Sequence, residues 1–174
     1  MFTKNDYVIY GSEGVCLVAD IRPISFDLAR MAEGEHTYYV LSPMEKQDAY
    51  VYVPIDSEVL CAKMRRVLTK EEIDSAIDLA AKKPLPDLND RKRRAVIYRS
   101  VCESMKCELL LLLVRALYER KNALSAQGKK MAFSDSEMLS KCEAVVASEF
   151  AFSLGIEKCE VSHYIQARLD AAKE

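Results

Sequence analysis

The sequence predicts an α+β chain in two parts: a small, strongly bent β-barrel over residues 1–68, followed by an all-α bundle of about five helices over 69–174. Three observations carry this expectation. Short segments rich in Val, Ile and Tyr, separated by turn residues, crowd the first third of the chain. After Leu68 the apolar residues recur at helical spacing. The charge also divides unevenly, with seven Lys/Arg against ten Asp/Glu in residues 1–68 and fourteen against nine in residues 69–130. A basic middle segment of this kind points to contact with a polyanion.

Strands are expected at Tyr7 to Tyr10, Val15 to Ile21, Thr37 to Leu41, Ala49 to Val53 and Met64 to Leu68. Gly11-Ser12-Glu13-Gly14 makes a tight turn between the first two, because glycine takes positive φ without a Cβ clash. In Tyr50-Val51-Tyr52-Val53 the period of two sends the valines to one face, a core face, and the tyrosines to the other. Five short strands in so few residues suit an SH3-like or Tudor-like barrel, since a flat sheet of this size could not bury its apolar face. Pro23 to Glu35 reads as a longer loop with room for a helical turn.

Thr69-Lys70-Glu71-Glu72 has the form of a capping box, in which side chains at both ends satisfy free N–H groups at a helix start. Ile73, Ala76, Ile77 and Ala80 follow at helical spacing to about Lys83, and Pro84 and Pro86 hold the next segment extended. A second helix should begin near Asn89, carrying Arg91, Lys92, Arg93, Arg94 and Arg99, with Val96, Ile97, Tyr98 and Val101 as its buried side. The third, Met105 to Asn122, is apolar almost all round at Leu109 to Val114 and suits the centre of a bundle. After a basic connection, Ser134 and Glu137 form a second capping-box pattern, and Leu139, Cys142, Val146, Phe150 and Leu154 make the stripe of a fourth helix ended by Gly155. Val161, Tyr164, Ile165 and Leu169 make the stripe of a fifth.

The longest apolar run, Leu109 to Val114, is far below the roughly 20 residues of a membrane span. Met1 to Tyr10 alternates charged and apolar residues, unlike a secretory signal, so a cytoplasmic protein is expected. The six cysteines form no C-x-x-C pair and the two histidines stand apart, so reduced core thiols and no metal are expected. A glycine-rich phosphate loop, a G-x-S-x-G elbow and paired histidines are all missing from the sequence, and no enzyme or cofactor is expected. Cys16 beside the first turn reads as a barrel core residue rather than a nucleophile.

The opening Asp6-Tyr7-Val8-Ile9-Tyr10, followed by Gly14-Val15-Cys16-Leu17-Val18, resembles the start of the family that contains CarD and the polymerase-interacting module of transcription-repair coupling factors. Tyr38-Tyr39-Val40-Leu41, Val51-Tyr52-Val53-Pro54 and Met64-Arg65-Arg66-Val67-Leu68 follow in that family's order. In the helical half, Arg91 and Arg93, Leu117-Tyr118, Leu124-Ser125-Ala126, Lys129-Lys130-Met131 and Ala147-Ser148-Glu149-Phe150-Ala151 also resemble it. The resemblance implies a Tudor-like domain at 1–68 that binds the β subunit of bacterial RNA polymerase. It further implies a helical domain at 69–174 that touches promoter DNA, stabilising open complexes.

On that reading Arg91, Arg93, Arg94, Lys129 and Lys130 neutralise phosphates, and Tyr39, Tyr50 and Tyr52 face polymerase. Two departures stand out. The chain has no tryptophan where the family places an apolar wedge at the start of its basic helix. Leu88 beside that helix is either a substitute wedge or a loop residue packed on the bundle. Tyr52 and Ile24 stand at or near positions where the family uses arginines, which makes any polymerase contact more apolar. The alternative is an adaptor that binds polymerase or another protein and never meets DNA.

Overall fold

The computed structural model describes residues 1–24, 36–46 and 48–171. The chain divides into two compact units, Met1–Val67 and Leu68–Glu174.

The first unit is a five-stranded antiparallel sheet built from β1 (Tyr7–Tyr10), β2 (Val15–Ile24), β3 (His36–Pro43), β4 (Val51–Pro54) and β5 (Met64–Arg66), with a short helix α1 (Glu58–Cys61) before β5. The strand order is β4-β3-β2-β1-β5. A 3-10 turn at Gly11–Glu13 joins β1 to β2, and Gly14 after it has φ +72°, which explains the glycine. The pairing of β2 with β3 slips between Val18 and Asp20, a bulge that bends the long hairpin. One core of this unit gathers Val8, Cys16, Val18, Tyr39, Leu41, Val53 and Met64. The expected loop from Pro23 begins as strand through Ile24, and its remainder, residues 25–35, lies outside the described residues.

The second unit contains α2 (Lys70–Lys82), α3 (Arg91–Ser104), α4 (Cys107–Ala126), α5 (Phe133–Leu154) and α6 (Lys158–Ala171). The Thr69/Glu72 capping box forms with both reciprocal bonds. The other expected box does not: α5 starts at Phe133, with Ala132 at its N-cap and no side-chain cap. Ser134 is already inside the first turn, where its hydroxyl turns to the Asp135 carboxylate at 3.5 Å. Met105 ends α3 in the left-handed conformation at φ +47°, so the third helix starts two residues later than its apolar run suggests. Leu110 to Leu113 are all buried and α4 is the central rod, packed by Ile73 and Ile77 of α2 and by Leu139, Cys142, Val146 and Phe150 of α5. No helix among the described residues is long and apolar enough to cross a membrane.

Candidate functional site

The basic helix α3 is positioned by its inward stripe, Arg94, Ile97, Tyr98, Val101 and Met105, which repeats at three and four residues. Asp90 caps the helix, accepting the Arg93 N–H at 2.7 Å. Val96 falls off that stripe. It was expected on the buried side and is instead 68% exposed, beside Lys92 and Arg99 on the outer face.

The central feature is Asp135, at 0% exposure in the first turn of α5. Its Oδ1 accepts the Tyr98 hydroxyl at 3.0 Å and lies 3.4 Å from Arg94 Nε, while Oδ2 accepts Arg120 Nε at 3.1 Å. One carboxylate therefore ties α3, α4 and α5 together. Burial and the bond to Asp135 push the Tyr98 hydroxyl pKa well up, so it stays a donor. Arg94 Nη1 also donates to the Leu88 carbonyl at 2.6 Å and the Asn89 carbonyl at 3.1 Å, locking the chain that leads into α3.

This arrangement sorts the expected DNA-contacting residues. Arg91, Arg93, Lys129 and Lys130 are exposed, whereas the Arg94 side chain is only 13% exposed and committed to Asp135. Arg94 was expected to meet phosphates and is instead held inside the bundle by Asp135 and the Leu88 carbonyl. Leu88 is 4% exposed and belongs to the helical core, so it packs on the bundle and is not a surface wedge. Arg93 lies 3.8 Å from Asp87, an exposed pair of little energetic weight. Lys129 donates to the side chain of Gln127 at 3.1 Å.

By bonding Asp135 to Arg94 and Tyr98, the protein brings the N-terminal turn of α5, just after Lys129 and Lys130, against the basic helix. Sequence reasoning missed Val96 and Phe133, the latter 82% exposed at the start of α5. An apolar residue flanked by lysines and arginines was the available signal. Treating the run Val96 to Tyr98 as one buried block obscured it.

In the first unit β4 is an outermost strand of the sheet. Tyr50 is 55% exposed and Tyr52 38% exposed, on the face opposite Val53. Tyr39 does not join them. It pairs with Val53 across β3 and β4, points the same way, and is 4% exposed in the core, so it is withdrawn from the docking surface. Cys16 is fully buried and burial pushes its thiol up to about 11, the opposite of an activated nucleophile. Among the described residues no group of three or more His, Cys, Asp or Glu side chains is placed to hold a metal ion.

A bent five-stranded sheet of this order, followed by a helical unit, defines a small Tudor-like β domain with an α-helical partner. Residues 2–68, which make up the first unit, match the family model of the CarD-like/TRCF RID domain. The RID is an RNA polymerase-interacting domain, which makes this a transcription-related, polymerase-interacting protein. No curated protein matches the chain.

Proposed function

We propose that the protein is a non-enzymatic bacterial transcription regulator that works in the cytoplasm, docks on the β subunit of RNA polymerase through its first unit, and holds promoter DNA with the helical unit. The observation that supports the DNA half is the Asp135 clamp, which ties the first turn of α5, a few residues after Lys129 and Lys130, to the basic helix α3. Arg91, Lys92, Arg93, Arg99, Lys129 and Lys130 supply positive charge for phosphates. Contacts of this type release counterions and weaken steeply with salt, and they position a protein without reading bases. Promoter choice then comes from polymerase, which raises the local concentration of DNA at the basic face.

Docking is assigned to the β4 edge with Tyr50 and Tyr52. The exposed tyrosines at this strand supply flat, amphipathic anchors. The test is co-purification with polymerase core and with an isolated β fragment, each with and without promoter DNA at two salt concentrations. The expected result is salt-tolerant capture by the β fragment and salt-sensitive retention of DNA. Failure to bind polymerase overturns the docking assignment. Binding to polymerase with no gain in DNA retention reduces the protein to an adaptor, a reading favoured by the missing tryptophan.

A further inference from the structure

Away from the basic face, α2, α4, α5 and α6 line a partly open cavity of about 780 Å³, within the range of small-molecule sites. It exists because small residues stand where the helices face one another: Ala80 and Ala81 on α2 and Ala147 on α5. Its apolar wall includes Leu111, Val146 and Ile165. A gap of this size in an otherwise packed bundle forfeits dispersion contacts that a bound molecule would restore.

The charges on its lining are unequal. Lys82, Arg115 and Lys158 line it together with Glu119 and Glu143, and the Glu143 carboxylate already accepts the Tyr118 hydroxyl. That bond is the main reason the Tyr118 pKa rises to about 12. Arg115 differs from the other half-buried arginines of this unit. Arg94, Arg120 and Arg168 each pair with an aspartate, whereas Arg115 spends Nη1 on the backbone carbonyls of Ala80 and Ala81 at the end of α2. A guanidinium carries five donors in a fixed fork, so Arg115 keeps donors beyond that Nη1 contact, and no carboxylate among the described residues forms an ion pair with it.

We propose that this cavity is a binding site for an amphipathic monoanion, an aliphatic carboxylate whose chain lies against Leu111, Val146 and Ile165 and whose head is held by Arg115. Lys82 and Lys158 add to the positive potential at the lining. The site belongs to the helical unit alone and does not depend on polymerase docking or on DNA.

The probe is decanoate, titrated into the full chain by calorimetry and by methyl NMR, with decyltrimethylammonium as the cationic control and decanol as the neutral one. Expected is saturable binding of one decanoate, at least tenfold tighter than the cation, with shifts at Val146, Val161 and Ile165 and none at Val8 or Val53. Ala147→Met, which fills the cavity, should lose binding at least tenfold. Arg115→Gln should bring decanoate down to the level of decanol. Should either variant fail to fold, the parent's methyl shifts and the anion-to-cation ratio decide by themselves. Absence of saturation, equal binding of anion and cation, or shifts spread over both units overturns the proposal, the last being detergent-like unfolding.

Discussion

The two units differ in what they bury. In the sheet unit the large buried side chains are apolar, from Val8 through Leu41 to Val53, whereas the helical unit buries Asp135 and Glu149 at 0% and 1% exposure. Asp135 joins three helices. Glu149 accepts the Leu68 N–H at 3.1 Å while the Ser153 hydroxyl donates to the Leu68 carbonyl at 2.5 Å, fixing the start of the unit to α5. The sheet is thus specified by pattern and packing, and the bundle by two carboxylates placed inside an apolar frame. Such groups are costly to bury and costlier to leave half paired.

The sharpest way to break that contrast is Asp135→Ala. It strands Arg94 and Arg120, both largely buried, and removes the acceptor of Tyr98. A loss of about 3–5 kcal/mol in the helical unit is expected, since removing one partner leaves buried charge uncompensated. Urea unfolding followed by separate methyl signals of Leu113 and Val8 should show the first moving and the second unchanged. Equal movement of both would dissolve the contrast.

The converse is Leu41→Ala in the sheet core, where Leu41 is 0% exposed. A cavity there costs roughly 2–5 kcal/mol, and the Val8 signal should now report it while Leu113 stays in place. A smaller effect is expected at Gly155, the left-handed end of α5 at φ +65°, where an added Cβ would meet nothing within 4 Å. Gly155→Ala should therefore cost about 1 kcal/mol from backbone strain alone, read as a small shift in the thermal midpoint.

The smallest effect concerns pH. Arg168 donates to Asp78 at 2.9 and 2.7 Å, joining α6 to α2, and this bond holds the Asp78 carboxyl below its ordinary 3.8. A carboxyl lowered by folding stabilises fully above its unfolded pKa, and that contribution disappears as pH falls through the folded value. Arg168→Gln should accordingly be less stable than the parent at neutral pH and converge with it in acid. A gap that persists in acid would show that Arg168 acts through packing instead.

Much of the fold was legible because it rests on periodicity. All five strands, the Thr69/Glu72 box and the stripe from Leu139 to Phe150 follow from spacing that one buried face imposes. What escaped was decided by contacts remote in sequence. Arg94 looks like its neighbours Arg91 and Arg93 until Asp135, far along the chain, draws it inward. Tyr39 looks like Tyr52 until the register sets it opposite Val53. Leu88 is covered by a bundle whose packing no local pattern records. The α1 turn, Glu58–Cys61, is too short to show a period and is marked only by Ser57, whose hydroxyl accepts the Leu60 N–H.

The candidate site was legible in charge and not in geometry. Arg91, Arg93, Lys129 and Lys130 could be picked from the basic segment, but the tie between α3 and the first turn of α5 rests on a buried aspartate that no local pattern marks. The most direct measurement is the lifetime of promoter open complexes by stopped flow, comparing the parent with a triple Arg91→Ala, Arg93→Ala, Lys130→Ala variant. The variant should fold and bind polymerase as the parent does, yet give shorter-lived open complexes than the parent, as the proposed DNA contact requires. An unchanged lifetime, with polymerase bound equally by both proteins, would contradict DNA engagement by the basic face.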